Sequence, residues 1–122
     1  MKTYGGSCHC GAVQFQINTE FTEFTSCNCS LCRRRNAVMT MVPQTDLKIL
    51  QGEDQLTLYE WNTKIAKHYF CKTCGIYTFH QRRSAPDQYG VNVYCLDDKE
   101  AVDAVPIVKG DGASLSLIDE RT

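Results

Sequence analysis

Seven of the eight cysteines in this 122-residue chain fall into three tight groups, and no other feature restricts its fold as severely. One residue separates Cys8 from Cys10, two separate Cys71 from Cys74, and Cys27, Cys29 and Cys32 share a six-residue stretch with little apolar content to bury. In a reducing compartment, closely spaced cysteines bind metals or do chemistry more often than they form disulfides, although the even total leaves a disulfide framework as an alternative. Three sulfurs converging from one turn make an incomplete tetrahedral site. Zinc with three protein ligands keeps a fourth position for water or substrate, whereas a structural zinc takes all four from the protein. The chemistry of the trio therefore depends on what the other cysteines do.

A chain of this length suits one domain, here residues 1–122. The N-terminal stretch has no apolar signal-peptide core and no run is long enough to cross a bilayer, so the expected location is the cytoplasm and no membrane partner is expected. A formal net charge of -1 argues against a nucleic-acid partner, since such binders carry a basic footprint. Thiolate-bound zinc would make the chain more acidic still.

Apolar residues at Val13, Phe15 and Ile17 alternate with Gln14 and Gln16, the pattern of a half-buried strand directly after the first cysteine pair. Further strands are expected over 37–42, ended by Pro43, and over 46–50, 55–61, 66–70, 76–80, 89–96 and 114–118. The polar segment 51–54, with its glycine, suits a hairpin turn, as do Asn62-Thr63 and the glycines of 109–113. Asp97 followed three residues later by Glu100 has the spacing of a short helix start. Seven or eight short strands between turns describe an all-β domain.

The two outer pairs each sit on a turn beside a strand, with Gly11 and Gly75 allowing the backbone to close beneath the sulfurs. Meeting in space, Cys8, Cys10, Cys71 and Cys74 would make one closed four-sulfur zinc site that clips distant parts of the chain together. The alternatives are separate sites or redox dithiols. Cys27, Cys29 and Cys32 then stay open unless Cys95 joins them. Its phase with Val91 and Val93 suits a small core residue instead. Among the histidines, His68 reads as packed or hydrogen-bonded and His80 as exposed and polar. The run Arg33, Arg34, Arg35 suits either a solvated turn or bidentate recognition of a substrate carboxylate.

Taken together, Gly6-Ser7-Cys8-His9-Cys10-Gly11, Cys27-Asn28-Cys29-Ser30-Leu31-Cys32-Arg33, Phe70-Cys71-Lys72-Thr73-Cys74-Gly75 and Asn92-Val93-Tyr94-Cys95-Leu96-Asp97 resemble the glutathione-dependent formaldehyde-activating enzyme family, which includes centromere-protein-V-like domains. The resemblance implies a zinc-containing β-tent of small antiparallel sheets. It implies two zinc ions, a structural one at Cys8, Cys10, Cys71 and Cys74 and a catalytic one at Cys27, Cys29 and Cys32. The activity it implies is that of a carbon-sulfur lyase resembling S-(hydroxymethyl)glutathione synthase, with glutathione and an aldehyde as small-molecule partners. Arg33 to Arg35 would then meet the peptide's carboxylates. The rival readings are a non-catalytic zinc-binding interaction module, whose mark would be a fourth protein ligand at the trio, and a thiol redox or zinc-storage protein.

Overall fold

Alternating burial builds the smaller of two sheets. The computed structural model describes residues 1–61 and 64–110. In β2 (Gln14–Thr19), Phe15 and Ile17 are fully buried while Gln14 faces solvent, as the period-two pattern requires. β2 pairs antiparallel with β1 (Lys2–Ser7) on one side and with β5 (Leu47–Gln51) on the other.

The second sheet has seven strands among the described residues, in the order β10-β3-β4-β9-β8-β7-β6. Its members are β3 (Phe24–Cys27), β4 (Val38–Pro43), β6 (Leu56–Tyr59), β7 (Lys67–Cys71), β8 (Tyr77–Gln81), β9 (Gln88–Asn92) and β10 (Ile107–Gly110). All pairs are antiparallel except β10 with β3, which run parallel. The main core lies between the sheets. Tyr4, Phe15 and Ile17 from the small sheet meet Phe24, Val42, Phe79 and Val91 from the large one, with Val102 of α2 (Lys99–Asp103) closing the edge. Phe79 sits at the centre, with Phe15, Tyr69 and Tyr89 ringed around it at centroid distances of 5.9, 5.3 and 5.2 Å.

The expected all-β architecture holds, with several differences in detail. The segment 51–54 does not close a hairpin: β5 belongs to the small sheet and β6 to the large one, so this passage carries the chain from one layer to the other. β9 stops at Asn92, whose side chain accepts the Tyr94 N–H, and Val93–Cys95 wind into a 3-10 turn that removes Cys95 from the strand. Asp98, not Asp97, caps α2 by accepting from the Ala101 N–H. β1, β3, β10 and the helix α1 (Ser30–Arg35) lie where no regular structure was expected. The turn at 62–63, the part of the 109–113 turn beyond Gly110 and the strand at 114–118 lie outside the described residues. Among those described, no helix is long and apolar enough to cross a membrane.

Truncating Phe79 to alanine removes the ring around which both sheets close. The expected loss is about 3–5 kcal/mol, read from the shift in urea midpoint with metal held saturating.

Candidate functional site

Backbone turns bring the outer cysteine pairs to one point. Cys8 follows β1 and Cys71 ends β7, and the turns beyond them close through Gly11 and Gly75 at φ of +82° and +76°, where a side chain would be strained. The Val13 N–H reaches Cys8 Sγ at 3.3 Å and the Thr73 N–H reaches Cys71 Sγ at 3.4 Å, so each turn is held by its own sulfur. The four Sγ atoms of Cys8, Cys10, Cys71 and Cys74 lie within 4.8 Å of one another. A tetrahedral zinc with bonds near 2.3 Å needs sulfurs about 3.8 Å apart. Cys8 to Cys10 is 3.6 Å and Cys10 to Cys71 is 3.7 Å, so the donor set and its spacing fit zinc.

The central trio is assembled by one strand end and one helix start. Cys27 ends β3, Cys29 caps α1, and Cys32 lies in its first turn. Cys27 Sγ accepts the Cys29 N–H and Cys29 Sγ accepts the Cys32 N–H, both at 3.4 Å. The three sulfurs converge within 4.8 Å, and among the described residues no further Cys, His, Asp or Glu completes the set. Hydrogen bonds from Cys27 and Cys32 pull the Cys29 thiol down, whereas Cys27 and Cys29 push Cys32 up. Cys29 and Cys32 are buried, whereas Cys27 is part-exposed on a cleft of about 240 Å³ that Arg33 and Lys109 also line. Three soft sulfur donors with an accessible side fit a zinc ion with a fourth position.

Cys95 stays apart from the trio. It is buried in the main core, and its Sγ lies 3.5 Å from the Tyr77 carbonyl, to which the thiol donates. Burial also pushes its thiol up to about 12, away from the thiolate a metal would need.

The three arginines separate. Arg33 and Arg34 are exposed, the latter donating to the Ser30 carbonyl at 2.9 Å, but Arg35 turns inward. Its guanidinium lies 3.6 Å from the centre of the Tyr77 ring, Nη2 donates to Cys32 Sγ at 3.7 Å, and Nη1 donates to His68 Nδ1 at 3.1 Å. His68 is buried and hydrogen-bonded, as expected. His80 is not exposed as expected: it is 1% accessible, stacked on His68 at 5.1 Å, with Nδ1 2.6 Å from Tyr77 Oη. The reason is that Tyr77, Thr78, Phe79 and His80 of β8 are all buried, so alternation along this central strand does not mark an outer face. Burial and then the Arg35 charge hold His68 down to about 4 and His80 well below its ordinary range, so both rings are neutral near pH 7. Sequence reasoning missed Tyr77 and Lys109. Lys109 reaches the cleft only because β10 pairs with β3 beside Ser26, a long-range contact with no local signature.

The two sulfur sets have different expected roles in stability. Cys71→Ser should cost the protein one metal ion and its cooperative thermal transition, whereas Cys29→Ser should cost one ion and leave the transition in place. Metal analysis alongside circular-dichroism melting distinguishes these outcomes.

With this geometry established, comparison with known proteins gives a consistent result. A family model described as "Glutathione-dependent formaldehyde-activating enzyme" matches residues 3–108, a span that contains both sulfur sets. A Halomonas elongata protein named "Putative glutathione-dependent formaldehyde-activating enzyme" is 28% identical over 78 residues, covering 57% of this chain and 50% of that protein. The chain thus matches about half the length of this curated relative. The crystal structure of a Rhodobacter sphaeroides protein is 45% identical with a TM-score of 0.77, and the match covers 85% of this chain and 99% of that one. The chain belongs to the glutathione-dependent formaldehyde-activating enzyme family.

Proposed function

We propose that the protein is a zinc-dependent carbon-sulfur lyase that interconverts glutathione and formaldehyde with S-(hydroxymethyl)glutathione. The observation that carries this reading is the open sulfur trio beside a cationic cleft. Cys8, Cys10, Cys71 and Cys74 would hold a structural ion, and Cys27, Cys29 and Cys32 a second one. When bound at the trio, zinc supplies a fourth position at which a thiol is favoured as its thiolate, the nucleophilic form.

The protein's own groups bind and orient. Cys27 and Cys32 both line the cleft, Cys27 being the part-exposed one, while Cys29 is buried behind them. Arg33 and Lys109 flank the cleft and offer the peptide's carboxylates two cations. Addition forms one carbon-sulfur bond and opens the carbonyl π bond, the proton lost by the thiol ends on the new hydroxyl, and no oxidant or reductant is required. The reverse reaction is the lyase direction.

The interaction-module reading required a fourth protein ligand, most simply Cys95. The Cys95 contact with the Tyr77 carbonyl disfavours that arrangement.

In glutathione and formaldehyde, purified protein should accelerate adduct exchange seen by NMR over a protein-free control, and Cys29→Ser should abolish the acceleration. A rate equal to the control would sink the proposal. Arg33→Ala and Lys109→Ala should each raise KM for glutathione about 2–5-fold, an effect that shrinks at high salt because both cations are solvent-exposed.

A further inference from the structure

We infer that Arg35 is a positioning residue for the three-sulfur site: its guanidinium holds the Cys32 sulfur and balances the negative charge of the thiolate set. The inference rests on the proposal that the trio holds a metal. It separates Arg35 from its two neighbours in sequence, which remain on the solvent side of α1.

Helix geometry makes the separation. Arg35 lies three residues beyond Cys32 and four beyond Leu31, so it shares their face of α1. A cation carried inward this way needs a compensating charge. Among the described residues Arg35 forms no ion pair with a carboxylate. Its contacts are the Tyr77 ring, the His68 imidazole and the Cys32 sulfur, and of these only the sulfur set would carry a negative charge, as the thiolate ligands of a bound divalent ion. The arrangement also leaves Arg35 Nε and His68 Nε2 buried without hydrogen-bond partners among the described residues, a cost that an arginine serving only solubility would avoid by turning outward.

The surrounding contacts immobilise the guanidinium. Because a carbonyl only accepts, the Tyr77 hydroxyl donates to the Gly90 carbonyl at 3.2 Å and takes the His80 Nδ1–H. His80 stacks on His68, and His68 Nδ1 accepts from Arg35, so a continuous set of contacts runs from β9 through β8 and β7 to α1. Gly90 is part of it: a Cβ there would stand 2.4 Å from His80 Cε1. The neutral histidines orient the cation without competing for its charge.

The consequence lies at the sulfur. An N–H···S hydrogen bond draws electron density from Cys32 and weakens its donation, and a fixed positive charge offsets the single negative charge of three thiolates with a divalent ion. Both effects favour keeping the set ionised. Both also leave the fourth position better able to hold a thiolate.

The test uses cobalt(II) in the trio, with zinc retained in the four-sulfur set and the trio's spectrum isolated by subtracting that of Cys29→Ser. Arg35→Met should shift the sulfur-to-cobalt charge-transfer band to lower energy and release the trio's metal to a chelator about tenfold more readily. Arg35→Lys should restore part of both effects, and the four-sulfur set should keep its ion throughout. Should Arg35→Met fail to fold, Arg35→Lys and His68→Gln carry the test with the same two readouts, each expected to give a smaller change in the same direction. A filled trio whose band and metal release are indifferent to these substitutions overturns this inference alone. A wild-type trio that takes no cobalt overturns it together with the proposed function.

Discussion

The meeting of Cys8 and Cys10 with Cys71 and Cys74 is the contact that most constrains how the two sheets lie together. It brings the end of β1, in the small sheet, beside the end of β7, in the large one, where a bound metal would hold the two layers over their shared core. Apolar burial alone leaves the layers free to slide, because hydrophobic attraction has no direction. Sulfur ligands at fixed spacing do have direction. The turns that carry them are themselves bound to sulfur through the N–H groups of Val13 and Thr73, so the local conformation of each pair and its long-range meeting reinforce each other.

The central trio uses the same local chemistry for a different end. Its turn is also built from N–H···S contacts, but the chain supplies only three sulfurs and turns the next ones away: Cys95 is occupied in the core. Charge then becomes the dominant quantity. Arg35 lies against the buried side of the trio and Arg33 with Lys109 lines its solvent side, so one run of three arginines is divided by helix geometry between an inner and an outer task. The half-buried cation is less screened by water than the other two. The two outer ones act in high dielectric and contribute less each.

Much of this was legible along the chain. Seven cysteines at short spacing marked three chelating groups because chelation is a local property: residues two or three apart on a turn can face one point wherever the turn lies, whereas the meeting of the two outer groups is a long-range contact. The strand β2 was legible for a similar reason, since one face is buried and the other is wet. β8 was not, because both its faces are covered and alternation loses its meaning, which is why His80 was misread. β1 was hidden by Gly5 and Gly6, poor strand formers that are accepted because Phe15 packs where a side chain of Gly6 would stand. α1 was hidden by its shortness and by a cysteine in the capping position, where a sulfur does the work usually done by a hydroxyl or carboxylate.

The sequence by itself determined which residues could bind metal, the all-β class and the family, because these follow from spacing, periodicity and motif order. Only the tertiary structure decided that Arg35 faces the trio while Arg33 and Arg34 do not. It also decided that two histidines twelve residues apart stack in a buried network, that Lys109 stands beside Cys27, and that Cys95 is kept from the open site. Each of these depends on strands pairing across long stretches of chain, and a side chain's charge or donor capacity carries no record of which strand will lie beside it.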